Sequence, residues 1–146
     1  MNKKEEPKLV ILSIDLGKVC GVAVHTSEGI EYTEEYAFVD LMQLQAFAKH
    51  LIHKWRPSLV LIPYPTRFYR VILQHAKMMG VIESVAIQFD TLVIEVQDST
   101  CKKVVLGKGN AKKPDIAKHY KKIHPEIESE HILDAIMFID WYLASV

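Results

Sequence analysis

The chain is 146 residues long, 49% hydrophobic and 25% charged, with 18 basic residues balancing 18 acidic ones at zero net charge. That length supports one domain with a real core, and the balance by itself points to no polyanion partner. Met1 to Lys8 is charged and has no apolar core of a signal peptide, and no apolar run approaches the length of a bilayer. A soluble, cytoplasmic protein with no membrane partner is expected, with residues 1–8 a flexible start.

In chain order, strands are predicted over Leu9–Asp15, Gly21–His25 and Tyr32–Val39. The first two are joined through Gly17 and the next through Ser27-Glu28-Gly29, which implies an antiparallel opening. Asp40 is placed to cap a helix over Leu41–Lys54, whose Leu41, Leu44, Phe47, Ala48, Leu51 and Ile52 recur at helical spacing; Pro57 ends it. The wholly apolar Leu59–Ile62 reads as a central parallel strand, broken by Pro63 and Pro65. A helix over Arg67–Gly80, a strand over Thr91–Val96, a lysine-rich helix over Lys112–Ile123 with Pro114 in its first turn, and a closing helix over Ser129–Ala144 complete the chain. This order describes a single α/β domain, residues 1–146, built in three layers around a mixed five-stranded sheet flanked by helices.

Charge is unevenly spread. Between Lys102 and Lys122 there are eight lysines against one acid, Asp115, a local asymmetry that matters more than the sum. Cys20 and Cys101 have no metal-motif spacing and are read as buried or idle thiols. Asp15 is the informative outlier. It interrupts an apolar strand in Ile14-Asp15-Leu16-Gly17, and a carboxylate there needs a hydrogen-bond network, a basic side chain or a metal ion.

Ile14-Asp15-Leu16-Gly17 followed by Gly21 resembles the opening motif of RuvC-type Holliday junction resolvases, members of the ribonuclease H-like nuclease superfamily. The resemblance runs from Leu9 to Ala144. Its more specific part is the stretch in which Glu95, Lys102, Lys103, Gly107, Gly109, Ala111 and Lys113 fall in the family's register. In the closing helix, His131-Ile132-Leu133-Asp134-Ala135 resembles the family's His-x-x-Asp-Ala form, and a spacing of three puts both side chains on one helical face.

The resemblance implies a ribonuclease H-like fold and a structure-specific endonuclease that resolves four-way DNA junctions. Asp15, His131 and Asp134 would be catalytic and would ligate Mg²⁺ or Mn²⁺, hard ions suited to carboxylate oxygens. Two such ions about 4 Å apart would activate a water and stabilise the leaving oxygen. Lys102, Lys103, Lys108, Lys112 and Lys113 would contact phosphates, which position DNA without reading its sequence. Arg67, Phe68 and Tyr69 either stack at the opened centre of a junction or pack under the proline loop. A homodimer is implied, with Met78, Met79, Val81 and Ile82 near the corresponding helix interface, although such a stripe equally suits a core.

The pattern departs from the family at one position. A glutamate normally ends the strand after the first helix and bridges the metals; here that position is Pro63, which cannot ligate. Three alternatives stay open: a substitute ligand such as Glu95 or Asp98, a depleted site of lower metal affinity, or an inactive branched-DNA-binding or assembly protein on the same fold.

Overall fold

The computed structural model describes residues 8–65 and 69–146, the side chains of residues 69–71 excepted. Apart from Lys8, the expected flexible start lies outside the described residues. Ten elements follow in order: β1 (Ile11–Asp15), β2 (Val19–Thr26), β3 (Gly29–Ala37), α1 (Leu41–Trp55), β4 (Leu59–Pro63), α2 (Tyr69–Gln88), β5 (Leu92–Val96), α3 (Asp98–Leu106), α4 (Lys113–Lys121) and α5 (Glu130–Ser145). The five strands form one sheet in the order β3-β2-β1-β4-β5. β1, β2 and β3 pair antiparallel, while β4 joins β1 and β5 joins β4 in parallel. The mixed five-stranded sheet and its antiparallel opening are thus as expected.

Strand alternation divides the core between the two faces of the sheet. Leu12, Ile14, Val22, Val24, Val60 and Ile62 turn to one face and pack with α1 and α2 through Leu44, Leu51, Ile52, Ile82 and Val85. Ile11, Ala23, Leu59, Leu61 and Val96 turn to the other and pack under α5, where Leu133, Ile136 and Phe138 meet Cys101 of α3 and Tyr120 of α4. Most of these side chains are fully buried, and each large aliphatic one contributes about 1.5–3 kcal/mol. Tyr120 also donates its hydroxyl to Asp140 Oδ2 at 2.6 Å, fastening α4 to α5. Both thiols lie inside these cores, and burial raises Cys20 to about 11 and Cys101 to about 12.

Local chemistry sets the ends. Asp40 caps α1, its Oδ1 accepting from the Gln43 N–H at 2.9 Å, and Arg56 closes it in the left-handed region at φ 46° just before Pro57. Two elements differ from the sequence expectation. α2 runs on through Gly80 to Gln88, because Met78, Met79, Ile82, Val85 and Ala86 form one continuous buried stripe that outweighs the roughly 1 kcal/mol cost of a helical glycine. The apolar residues considered for a dimer face are therefore mostly core: Met78, Met79 and Ile82 are buried, and Val81 packs against them. Second, the segment after β5 contains a helix, α3, that the sequence reading passed over as a connection. It buries only Cys101, and Gly107 stops it at φ 81°, a left-handed turn that glycine adopts freely.

The tightest constraint in the fold is at Gly21. A Cβ built there would lie 2.0 Å from the backbone carbon and oxygen of His131, so the first turn of α5 rests directly on β2. Gly21→Ala is expected to force that backbone away and to destabilise the protein by about 3 kcal/mol or more, read as a fall in thermal midpoint by circular dichroism.

Candidate active site

Asp15 ends β1 on the face that α5 covers, opposite Gly21 in the β1–β2 register. Because Gly21 has no side chain, α5 descends far enough for its first two turns to reach Asp15. Ser129 starts that helix, accepting from the Ile132 N–H at 3.3 Å and donating its hydroxyl to Glu35 on β3. His131 then lies with Nδ1 3.8 Å from Asp15 Oδ2, and Asp134 comes within hydrogen-bonding reach of Asp15. The three residues singled out from the sequence are brought together.

The carboxyl pair is held under electrostatic stress. Burial, then the charges of Asp134 and Asp98, hold Asp15 well above the usual carboxylate range. Burial first and Asp98 second push Asp134 up to about 6. Two acids in one poorly solvated place cannot both ionise cheaply. Lys113 works against this on both acids, and Lys102 does so on Asp134. Lys113 is itself fixed by Glu130, Nζ to Oε1 at 2.7 Å, and Lys102 by Asp98 at 2.5 Å. A cavity of about 260 Å³ between α4 and α5, with Lys113, Glu128, Glu130, Leu133 and Asp134 on its wall, opens Asp134 to solvent.

The two candidate substitute ligands separate. Asp98, at the start of α3, is close enough to act on both Asp15 and Asp134. Glu95 pairs with Ile62 in the sheet and so faces α2, where its carboxyl group meets Glu83 and, after burial, raises the pKa of Glu83. Pro63 lies on the Asp15 face: the β1–β4 register that pairs Ser13 with Leu61 sets Pro63 beside Asp15 two residues on, and its carbonyl is bonded to His75 Nε2 at 2.7 Å.

Among the phosphate-contact candidates, Lys102 and Lys103 are on α3, Lys108 follows its glycine stop, Lys112 precedes α4 and Lys113 begins it. Of these, Lys102 and Lys113 act on the acid pair, whereas Lys108 lines a cavity on the other side of α4. Arg67 and Phe68 lie outside the described residues, and of Tyr69 only the backbone, which starts α2, is described. Sequence reasoning missed Glu130 as the clamp on Lys113; it counted Lys118 and Lys122 in the basic run without giving them a contact.

The residues around Asp15 suit a metal ion only in part. Asp15 and Asp134 offer hard oxygens whose mutual repulsion a cation would relieve, which suits one dication with His131 at its side. Among the described residues, no group of three or more His, Cys, Asp or Glu side chains is arranged to hold an ion, and Pro63 adds no donor.

The five-stranded sheet and the helices on its two faces give the chain the same fold as solved structures of Holliday junction resolvases. The structure of RuvC from Thermus thermophilus matches with a TM-score of 0.79 at 19% identity, over 93% of this chain and 94% of that one. T. thermophilus RuvC in complex with a Holliday junction substrate matches with 0.78 at 18% identity, over 94% and 96%. The fowlpox virus Holliday junction resolvase matches with 0.66 at 12% identity, over 94% and 100%. No family model and no curated protein matches the sequence. At these identities the likeness establishes the fold. Among the described residues, no helix is long and apolar enough to cross a membrane.

The raised acids fix the sign of a pH effect. A carboxyl group whose pKa is higher in the folded than the unfolded state stabilises the fold below the unfolded value, and that contribution is lost as pH rises through the folded one. Between about pH 4 and pH 6 Asp134 therefore turns from neutral to unfavourable. Asp134→Asn is expected to raise stability at pH 7.5 by roughly 1–3 kcal/mol, with the gain vanishing at pH 3.5, measured by urea denaturation at both values.

Proposed function

We propose that the protein is a structure-specific nuclease acting on branched DNA, with the four-way junction as substrate. The observation that carries this reading is the half-buried Asp15–Asp134 pair, with His131 beside it and Lys102 and Lys113 at its flank. Buried acids that repel one another are a poor way to stabilise a core and a good way to attract a hard cation. Mg²⁺ or Mn²⁺ fits the two carboxylates, and the chemistry it supplies when bound is Lewis-acid activation of a phosphodiester toward water. Asp15 and Asp134 would give the oxygens that hold it. His131, half-exposed at the rim, is placed to move a proton. Lys102, Lys103, Lys112 and Lys113 set the phosphate path, and the raised pKa of Lys113, fixed first by its bond to Glu130, keeps that ammonium charged. Action as a homodimer suits a two-fold symmetric junction, which two matched cuts resolve.

The fold of the T. thermophilus and fowlpox virus proteins supports this reading. A second reading, a branched-DNA-binding protein that does not cleave, is favoured by Pro63, which stands beside Asp15 and adds no metal donor.

Metal binding is tested apart from activity. Mn²⁺ at about 100 times its Kd is expected to stabilise the unaltered protein by about 2.7 kcal/mol, and Asp15→Asn to abolish that thermal shift. In nicking assays on a synthetic four-way junction, Asp15→Asn is expected to lose Mn²⁺-dependent cleavage while junction affinity is retained, since the lysines that would contact phosphate are unchanged. Absence of cleavage by the unaltered protein with either ion would select the second reading. Pro63→Glu, which restores a carboxylate on the same face, is expected to lower the Mn²⁺ concentration that gives the half-maximal shift.

A further inference from the structure

We infer that the cavity on the outer face of α4 is a second phosphate-binding site, which takes the sugar–phosphate backbone of the same nucleic acid about one helix width from the acid pair. This rests on the nucleic-acid reading above and adds residues to it. The cavity has a volume of about 270 Å³; Lys108, Lys118, His119 and Lys122 are on its walls, with Leu106 and Ala111 forming the apolar part. Its one carboxylate, Asp115, is occupied in accepting from the Lys112 N–H at 2.9 Å.

The three lysines differ from those beside the acids. Lys102 and Lys113 are held by Asp98 and Glu130, whereas Lys108, Lys118 and Lys122 have no ion-pair partner among the described residues. Lys118 and Lys122 are also four apart on one helix, a spacing at which like charges repel. Gly107, in its left-handed turn, sends the chain back so that Lys108 joins them. Three unpaired cations gathered around one cavity are the complement of a polyanion.

Placement selects a nucleic acid. Lys113, Ile116 and Ala117 line the cavity toward α5 and Asp134, while Lys118, His119 and Lys122 line the cavity on the opposite side of the same helix. A helix with its side chains is about 10–12 Å across, and Lys112 and Lys113 sit at the end that joins the two sides. A strand engaged at the acid pair can pass that end and continue into the outer cavity. A free phosphate would share the chemistry but would have no use for the continuity.

The test measures four-way junction binding by fluorescence anisotropy across a salt series, without divalent ions. The double variant Lys118→Gln/Lys122→Gln is expected to reduce the slope of log K against log salt by about 1.4–1.8, the release of two phosphate contacts. Lys118→Arg/Lys122→Arg is expected to keep the slope, and both variants change exposed residues, so an unaltered circular dichroism spectrum is the folding control. An unchanged slope in the Gln variant, with junction binding intact, overturns this inference and leaves the nuclease reading standing. Failure of the unaltered protein to bind the junction overturns both. Saturable shifts of the His119 resonances with inorganic phosphate alone, together with an unchanged junction slope, would identify a free-anion site and likewise overturn it.

Discussion

The structure depends on a backbone-to-backbone contact. Where β2 passes Gly21, the start of α5 lies so close that even a methyl group would overlap the carbonyl of His131. Glycine here is needed for closeness, since its φ is not in the left-handed region. From that contact follow the height of α5 above the sheet, the reach of His131 and Asp134, and the cover over Ile11, Ala23 and Leu61. The same contact limits the water that reaches Asp15, the residue that pairs across the register from Gly21. Packing and electrostatics are thus joined at one position: the fold that gains a buried face for α5 must bury an acid to obtain it.

The molecule accommodates that acid through its neighbours. Asp134 and Asp98 intensify the negative field, and Lys113 and Lys102 offset it from α4 and α3. Each of those lysines is tied to a carboxylate of its own, so neither collapses fully onto the pair. The arrangement keeps a partly compensated negative site next to a positive wall, a division that suits a ligand with an anionic backbone and a cation requirement at one point along it.

Much of this was legible in the chain. Strand alternation around Asp15, the wholly apolar Leu59–Ile62 run and the helical spacing in α1 and α5 are strong periodic signals, and they gave the sheet and its layers. Asp15, His131 and Asp134 could be singled out because their motifs are short and local. What stayed hidden depends on contacts between distant segments. Nothing in the sequence around Glu95 shows that it faces α2 instead of Asp15, because that depends on the β4–β5 register. Gly80 reads locally as a stop, and only the burial of Ile82, Val85 and Ala86 carries the helix past it. α3 has one buried residue and so almost no hydrophobic pattern to find, and the pairing of Lys113 with Glu130 spans 17 residues.

The two thiols have a practical consequence. Both are fully enclosed and hold their protons far above neutral pH, and it is the thiolate that reacts with electrophiles. The native fold is therefore silent to maleimide chemistry. A single cysteine introduced on an exposed surface becomes a unique attachment point for a fluorophore or spin label, with no need to remove the natural pair.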